Sequence, residues 1–269
     1  MTRSTTRKRA TSPHQKRRAI ASKVGAVLAW ALLWFLAARA VNKPLLVASP
    51  GETLRELLSL AGDPAFYQTV LRSLASILGG FFSAVAAGCL VACLSLKSTF
   101  LRAFFAVPLG IVKATPVASF IILALVWLKS SHLSLFISFL MVLPLVAGNV
   151  YQGLVETDGK LLEMGRTFGF GQVGLWRHIY LPSAMPYFLA ACKTGLGMAW
   201  KAGVAAEVLG MVSGTIGRQL YDAKIYLETP KLFAWTAVVI LLSMVLEELL
   251  LWLVRKKFPY GLPSGERTG

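Results

Sequence analysis

Residues Glu163 to Pro182 read E-M-G-R-T-F-G-F-G-Q-V-G-L-W-R-H-I-Y-L-P. The stretch is a polar island, punctuated by glycines at 165, 169, 171 and 174, between long apolar segments. A chain that is apolar on both sides of such an island has to place it in water. Asp158 is a fitting N-cap for a short helix through Phe168, and Glu156, Asp158 and Glu163 put negative charge toward the positive end of its dipole. Gly169 suits the left-handed stop position that glycine adopts cheaply. Gln172 to Tyr180 can form a second short helix, with Val173, Leu175 and Ile179 as its apolar face and Arg177 and His178 as its polar one. Pro182 is expected to break that helix and open the next apolar segment. The product is a helix-turn-helix knob between two apolar helices, shaped to dock into a groove on a soluble partner.

Around the island the chain is 56% hydrophobic and only 15% charged over 269 residues. Soluble domains carry about a quarter charged residues. The apolar residues fall in blocks of roughly twenty, long enough to cross a hydrocarbon core as helix. The blocks are continuous rather than alternating, which excludes a membrane barrel. The expected class is all-α integral membrane, with about six transmembrane helices and a cytoplasmic helix-turn-helix loop.

The net charge of +16 follows from 28 basic and 12 acidic residues. Arg3, Arg7, Lys8, Arg9, Lys16, Arg17, Arg18 and Lys23 precede the first apolar run, and Arg255, Lys256 and Lys257 close the last. Basic residues so placed are held on the cytoplasmic side. The charge is therefore read as topological, with anionic membrane lipid as a further partner and no nucleic acid. The run from Val24 to Ala38 has no small-residue cleavage site after it and reads as an uncleaved first helix. Cys89, Cys93 and Cys192 sit in apolar segments without His or acidic neighbours, so no metal is expected.

Along the chain, residues 1–20 read as a basic disordered cytoplasmic tail and 21–65 as the first span with its outer loop. Within that loop, Ser49 or Thr53 can cap a short surface helix ending near Leu60. The second span covers about 66–95, where Gly80, Ala84 and Gly88 form a small-residue ladder for close helix packing. Residues 100–128, interrupted by Pro108, Lys113 and Pro116, are expected to enter near the inner surface and span from Pro116 to Leu128. Further spans are expected at about 133–151, 184–209 and 231–254, with the island at 152–182, an outer loop through about 230 and a cytoplasmic tail at 258–269. Both termini then lie inside.

Charges at membrane depth are functional candidates by default. Lys201 and Glu207 either line a pathway or make a polar contact between helices, and Trp200 beside them either contacts substrate or packs. Lys193 and Lys113 can reach the inner headgroups. No Gly-x4-Gly-Lys-Ser/Thr phosphate loop is present, and His14, His132 and His178 are scattered, so neither nucleotide hydrolysis nor an intramembrane enzyme is expected. No internal repeat supports an ATP-independent secondary transporter.

The island's spacing resembles the coupling loop of bacterial ABC importer permeases. Their motif is Glu-Ala-Ala, three residues, Gly, nine residues, then Ile-x-Leu-Pro. Glu163, Gly169, Ile179, Leu181 and Pro182 stand at those intervals, while Met164 and Gly165 replace the two alanines. The likeness covers about Tyr67 to Lys257, so the importer transmembrane domain is expected at 66–257. It is closest to the nitrate, sulfonate and taurine branch, through Pro116, Thr157-Asp158, Leu161-Leu162-Glu163, Pro186, Ala199-Trp200 and Ala205-Ala206-Glu207. The run Thr115-Pro116-Val117-Ala118-Ser119-Phe120 departs from that branch's Pro-rich pattern.

The resemblance implies a multi-pass permease of the bacterial inner membrane, pairing with a second copy of itself. It implies two ABC ATPase subunits inside, holding the ATP, and an extracellular or periplasmic substrate-binding protein outside. Coupling would fall to Glu163, Met164, Gly165, Gly169, Ile179, Leu181 and Pro182, and the pathway to Pro116, Trp200, Lys201 and Glu207. A small anion such as a sulfonate or nitrate is the implied substrate, the alternative being another small nutrient. The chain itself would bind no cofactor and catalyse nothing.

Overall fold

The computed structural model describes residues 13–41, 43 and 45–257, and every regular element among them is helical. The elements are α1 (Pro13–Val41), α2 (Pro50–Ala61), α3 (Pro64–Lys97), α4 (Thr99–Ala114), α5 (Val117–Trp127), α6 (Leu133–Val155), α7 (Gly159–Thr167), α8 (Gln172–Leu175), α9 (Leu181–Leu209), α10 (Ile216–Ile225) and α11 (Thr229–Lys257). A 3-10 turn at Ser130–His132 precedes α6. α1 begins at Pro13, so 13–20 are helical rather than disordered, while residues 1–12 and the tail 258–269 lie outside the described residues.

Among the described residues, four helices are long and apolar enough to cross a membrane: Val24–Val41, Pro64–Lys97, Ser130–Val155 and Thr229–Leu253. α4 and α5 qualify only as a pair, bent by 108°. The expected straight span from Pro116 is thus half a span. α5 has 11 residues, about 16 Å of helix against a hydrocarbon core about 30 Å thick. The bend falls at Thr115–Pro116 because proline pushes the residue before it out of the helical region; Thr115 has φ −87° and ψ 133°. Pro108, inside α4, does not interrupt it.

The remaining expected crossing, α9, is not among the strongly apolar helices. Lys193, Lys201, Glu207 and many small residues dilute it. It is instead one of the most enclosed elements, with Leu189, Leu196, Ala199, Trp200 and Ala206 all buried. A helix surrounded by protein does not need the hydropathy that a lipid-facing one does.

The centre of the bundle is α6, flanked by α3 and α9. Without an aqueous driving force, helices in lipid associate through close packing and hydrogen bonds, which favours small residues at the contact. The ladder on α3 does face α6. A methyl on Gly80 would lie 2.2 Å from the Leu135 carbonyl oxygen, and one on Gly88 would lie 2.9 Å from Val146 Cβ. On the other side, the Ser138 hydroxyl donates to the Ala199 carbonyl at 3.1 Å. α1 lies outside this bundle, its described apolar side chains mostly exposed, and is tied to it near its C-terminal end. There the Trp34 indole donates to the Ala48 carbonyl at 3.1 Å and stacks on Phe233 of α11.

Two short helices shape the end of the bundle away from residues 156–182. α2 starts in a capping box in which Ser49 and Glu52 exchange bonds, so Ser49 is the cap and Thr53 is buried. Those bonds from Ser49, its backbone N–H first, hold the Glu52 carboxyl below its ordinary range. α10, within the expected outer loop, is capped by Thr215 and carries an Arg218–Asp222 pair one turn apart.

Candidate functional site

At the end of the bundle where α6 finishes and α9 begins, residues 156–182 build the expected knob. The Asp158 side chain accepts from the Lys160 N–H at 2.9 Å and caps α7. α7 stops at Gly169, whose φ is +76°. The Gly169 N–H donates to the Arg166 carbonyl and the Phe170 N–H to the Gly165 carbonyl, the paired bonds of a Schellman stop. Glu163 is exposed, and its carbonyl accepts from the Thr167 hydroxyl at 3.0 Å.

The chain then turns back across α7. Gly165 is buried at the crossing, where a methyl would lie 2.7 Å from Ile179 Cδ1 and 2.8 Å from Leu175 Cδ2. Leu175 and Ile179 therefore close the knob's interior. Val173, expected on the same face, is 80% exposed. Leu161, Met164 and Phe168, at i, i+3 and i+7 of one helical face, are also exposed, Phe168 at 75%. This leaves an uncovered apolar surface on a segment that is otherwise polar.

Pro182 does not break the helix. α8 passes through a π turn at Trp176–Tyr180 into α9, with the Leu181 N–H reaching five residues back to the Trp176 carbonyl. The wider turn accommodates a ring that would otherwise crowd the carbonyl four residues earlier. Leu181 and Pro182 are exposed on this continuous rod. At its base the Tyr187 hydroxyl and the Gln152 amide both donate to the Glu156 carboxylate, which lowers the Glu156 pKa.

The four residues assigned to the pathway are not brought together. Trp200 is 1% exposed, and its indole donates to the Val239 carbonyl on α11 at 3.0 Å. Glu207 is fully buried near the C-terminal end of α9. It accepts from the Ser73 hydroxyl at 2.8 Å and from the Gly217 N–H at 3.1 Å, and Ser73 in turn accepts from the Ile216 N–H. These bonds join α3, α9 and α10. Lys201 is exposed, three residues beyond Met198 on α9. Pro116 is the corner between α4 and α5.

One cavity was missed from the sequence. Under the α4–α5 bend lies a cavity of ≈ 510 Å³, with Lys113, Thr115, Asn149 and Gln152 as polar lining and Met141 and Met198 among its apolar walls. α4 makes it by crossing the lower part of α6. Arg102 lies over the Tyr151 ring at 5.1 Å, and Lys113, eleven residues on, still reaches Gly148. α5 then packs along the outer half, where Ile121 and Ala124 meet Leu133, Ile137 and Ala206.

Comparison with known proteins places this architecture. The family model described as "Binding-protein-dependent transport system inner membrane component" matches residues 84–258. The taurine transport system permease protein TauC of Escherichia coli (strain K12) is 25% identical over 233 residues, covering 84% of each chain. The putative aliphatic sulfonates transport permease protein SsuC of Bacillus subtilis (strain 168) is 35% identical over 86 residues, 32% of this chain and 31% of SsuC. A crystal structure of an amino acid ABC transporter with histidines superposes with a TM-score of 0.60 over 72% of this chain and 94% of that one, at 16% identity, which shows the shared fold. The chain belongs to the binding-protein-dependent family of transport-system inner membrane components.

Proposed function

We propose that this chain is the pore-forming subunit of an ABC importer for small organic anions of the sulfonate type, working as a pair of identical copies. The observation that carries the reading is the 156–182 knob. It joins a rigid Gly165–Ile179 crossing to an exposed apolar stripe of Leu161, Met164 and Phe168 at the end of the bundle. A separate ATPase subunit that grips this stripe moves α9 directly, because no break intervenes between Gln172 and Leu209.

ATP binds and is hydrolysed on that partner, and this chain needs no cofactor of its own. A binding protein delivers substrate at the outer end. Counting the bent α4–α5 pair and α9, six crossings leave both basic termini in the cytoplasm, in accord with retention of positive charge there. The substrate class is supported by relatives that are named for taurine and aliphatic sulfonates and by the exposed Lys113 in the lining of the cavity.

The test is reconstitution of the chain with its ATPase and binding protein in proteoliposomes. ATP-driven uptake of taurine or ethanesulfonate is expected, and a charge at Gly165 abolishes it while the protein still inserts. Normal transport by a Gly165→Asp variant would refute the coupling role.

A further inference from the structure

The cavity beneath the α4–α5 bend holds a cation with nothing to balance it. Among the described residues Lys113 makes no ion pair, and no Asp or Glu lines the cavity. Gly148, where a methyl would lie 3.7 Å from the Lys113 ammonium, sits seven residues before the inner end of α6. That places the charge about 10 Å inside the helix end at 1.5 Å per residue. Lys113 is exposed, so a ligand can reach its ammonium, and a cation within a span favours a counter-charge.

The rest of the lining suits a small amphipathic anion. The Asn149 amide spends one proton on the Leu145 carbonyl at 2.8 Å and keeps a second. Val117, Met141 and Met198 give an apolar wall. The volume of ≈ 510 Å³ lies inside the range of about 300–1,000 Å³ typical of small-molecule sites. The bend itself creates the space, since a straight helix through Thr115 and Pro116 would not leave α6 at this level.

We infer that this cavity is a binding station for an organic sulfonate or a similar anion, with Lys113 meeting the charged head, Asn149 donating beside it and the methionines holding the alkyl part. The inference rests on the importer reading above and adds a location and a charge partner to it.

The test uses the complete transporter, with its ATPase and binding protein, in nanodiscs of zwitterionic lipid. Lysine acetylation is mapped by mass spectrometry with ethanesulfonate as probe and ethanesulfonamide as its uncharged counterpart. Ethanesulfonate is expected to slow acetylation at Lys113 about tenfold, the effect of roughly one charge-assisted hydrogen bond, and not at Lys231. The sulfonamide is expected to give no protection.

Absent protection, or equal protection by both compounds, overturns the assignment. Protection by phosphatidylglycerol in the disc, with no added effect of ethanesulfonate, overturns it in favour of a lipid headgroup. In proteoliposomes, Lys113→Gln is expected to cut ethanesulfonate uptake about tenfold and Lys113→Arg to recover most of it. Uptake by Lys113→Gln equal to the unaltered chain overturns the assignment as well. Protection of Lys113 without ATP-driven uptake by the unaltered transporter would sink the coupling reading alone; uptake without protection would sink the cavity assignment alone.

Discussion

The Ser73 hydroxyl donates to the Glu207 carboxylate at 2.8 Å, joining helices 134 residues apart, and accepts from the backbone at Ile216. Both side chains are fully buried. Ser73→Ala leaves the Ile216 N–H without its acceptor and should cost about 1–3 kcal/mol. Thermal unfolding of the detergent-purified chain measures this, and an unchanged melting temperature would show that the clip is dispensable. The replacement should also loosen α10, read as faster hydrogen exchange at Ile216 and Gly217.

Gly169 has φ +76° and nothing within 4 Å of an added methyl, so its role is conformational and not steric. Gly169→Ala should cost about 1 kcal/mol through the left-handed backbone alone. Coupling of ATP hydrolysis to uptake should fall while membrane insertion is unchanged. Gly165→Leu acts differently, by forcing Leu175 and Ile179 apart, and should reduce coupling further. The two are compared as uptake per ATP hydrolysed in proteoliposomes.

Phe168 and Val173 are 75% and 80% exposed, which is unusual for apolar residues in a water-facing segment. Phe168→Asp or Val173→Asp should lower copurification of the ATPase subunit about tenfold, as loss of a central apolar contact does. Folding of this chain should be unaffected because neither side chain is buried. Retention of the ATPase by both variants would mean that the motor grips elsewhere.

The knob was legible in the sequence because its punctuation is local. Asp158 caps within two residues, Gly169 terminates within three, and the Gly80–Ala84–Gly88 ladder repeats on one helical face. What was not legible depends on partners distant in sequence or on angles. Trp200 and Lys201 are neighbours, yet about 100° apart around the helix, so one packs on Val239 and the other is exposed. Proline at 116 announced a break but not a bend of 108°, and proline at 182 announced a break that a π turn absorbs. α10 escaped notice because its cap, Thr215, lies in a stretch read only as a loop.

The Glu156 carboxyl at the base of α9 titrates below its ordinary value because the Tyr187 hydroxyl, then the Gln152 amide, donate to it. A carboxyl with a depressed folded pKa adds stability above its unfolded pKa, and that contribution is lost as pH falls through the folded value. Tyr187→Phe should therefore lower the melting temperature at neutral pH and matter less in acid. An equal difference at both pH values would argue against this tie.

From Gln172 through the π turn to Leu209 the backbone forms one rod, about 55 Å long at 1.5 Å per residue. A rocking of about 10° at its lower tip would swing the upper tip sideways by about 10 Å over a rod of that length. Glu207 lies near the far end of this helical run, so a tilt of α9 as a unit carries the Ser73 clip with it, and Pro186 and the π turn are where the run would bend first.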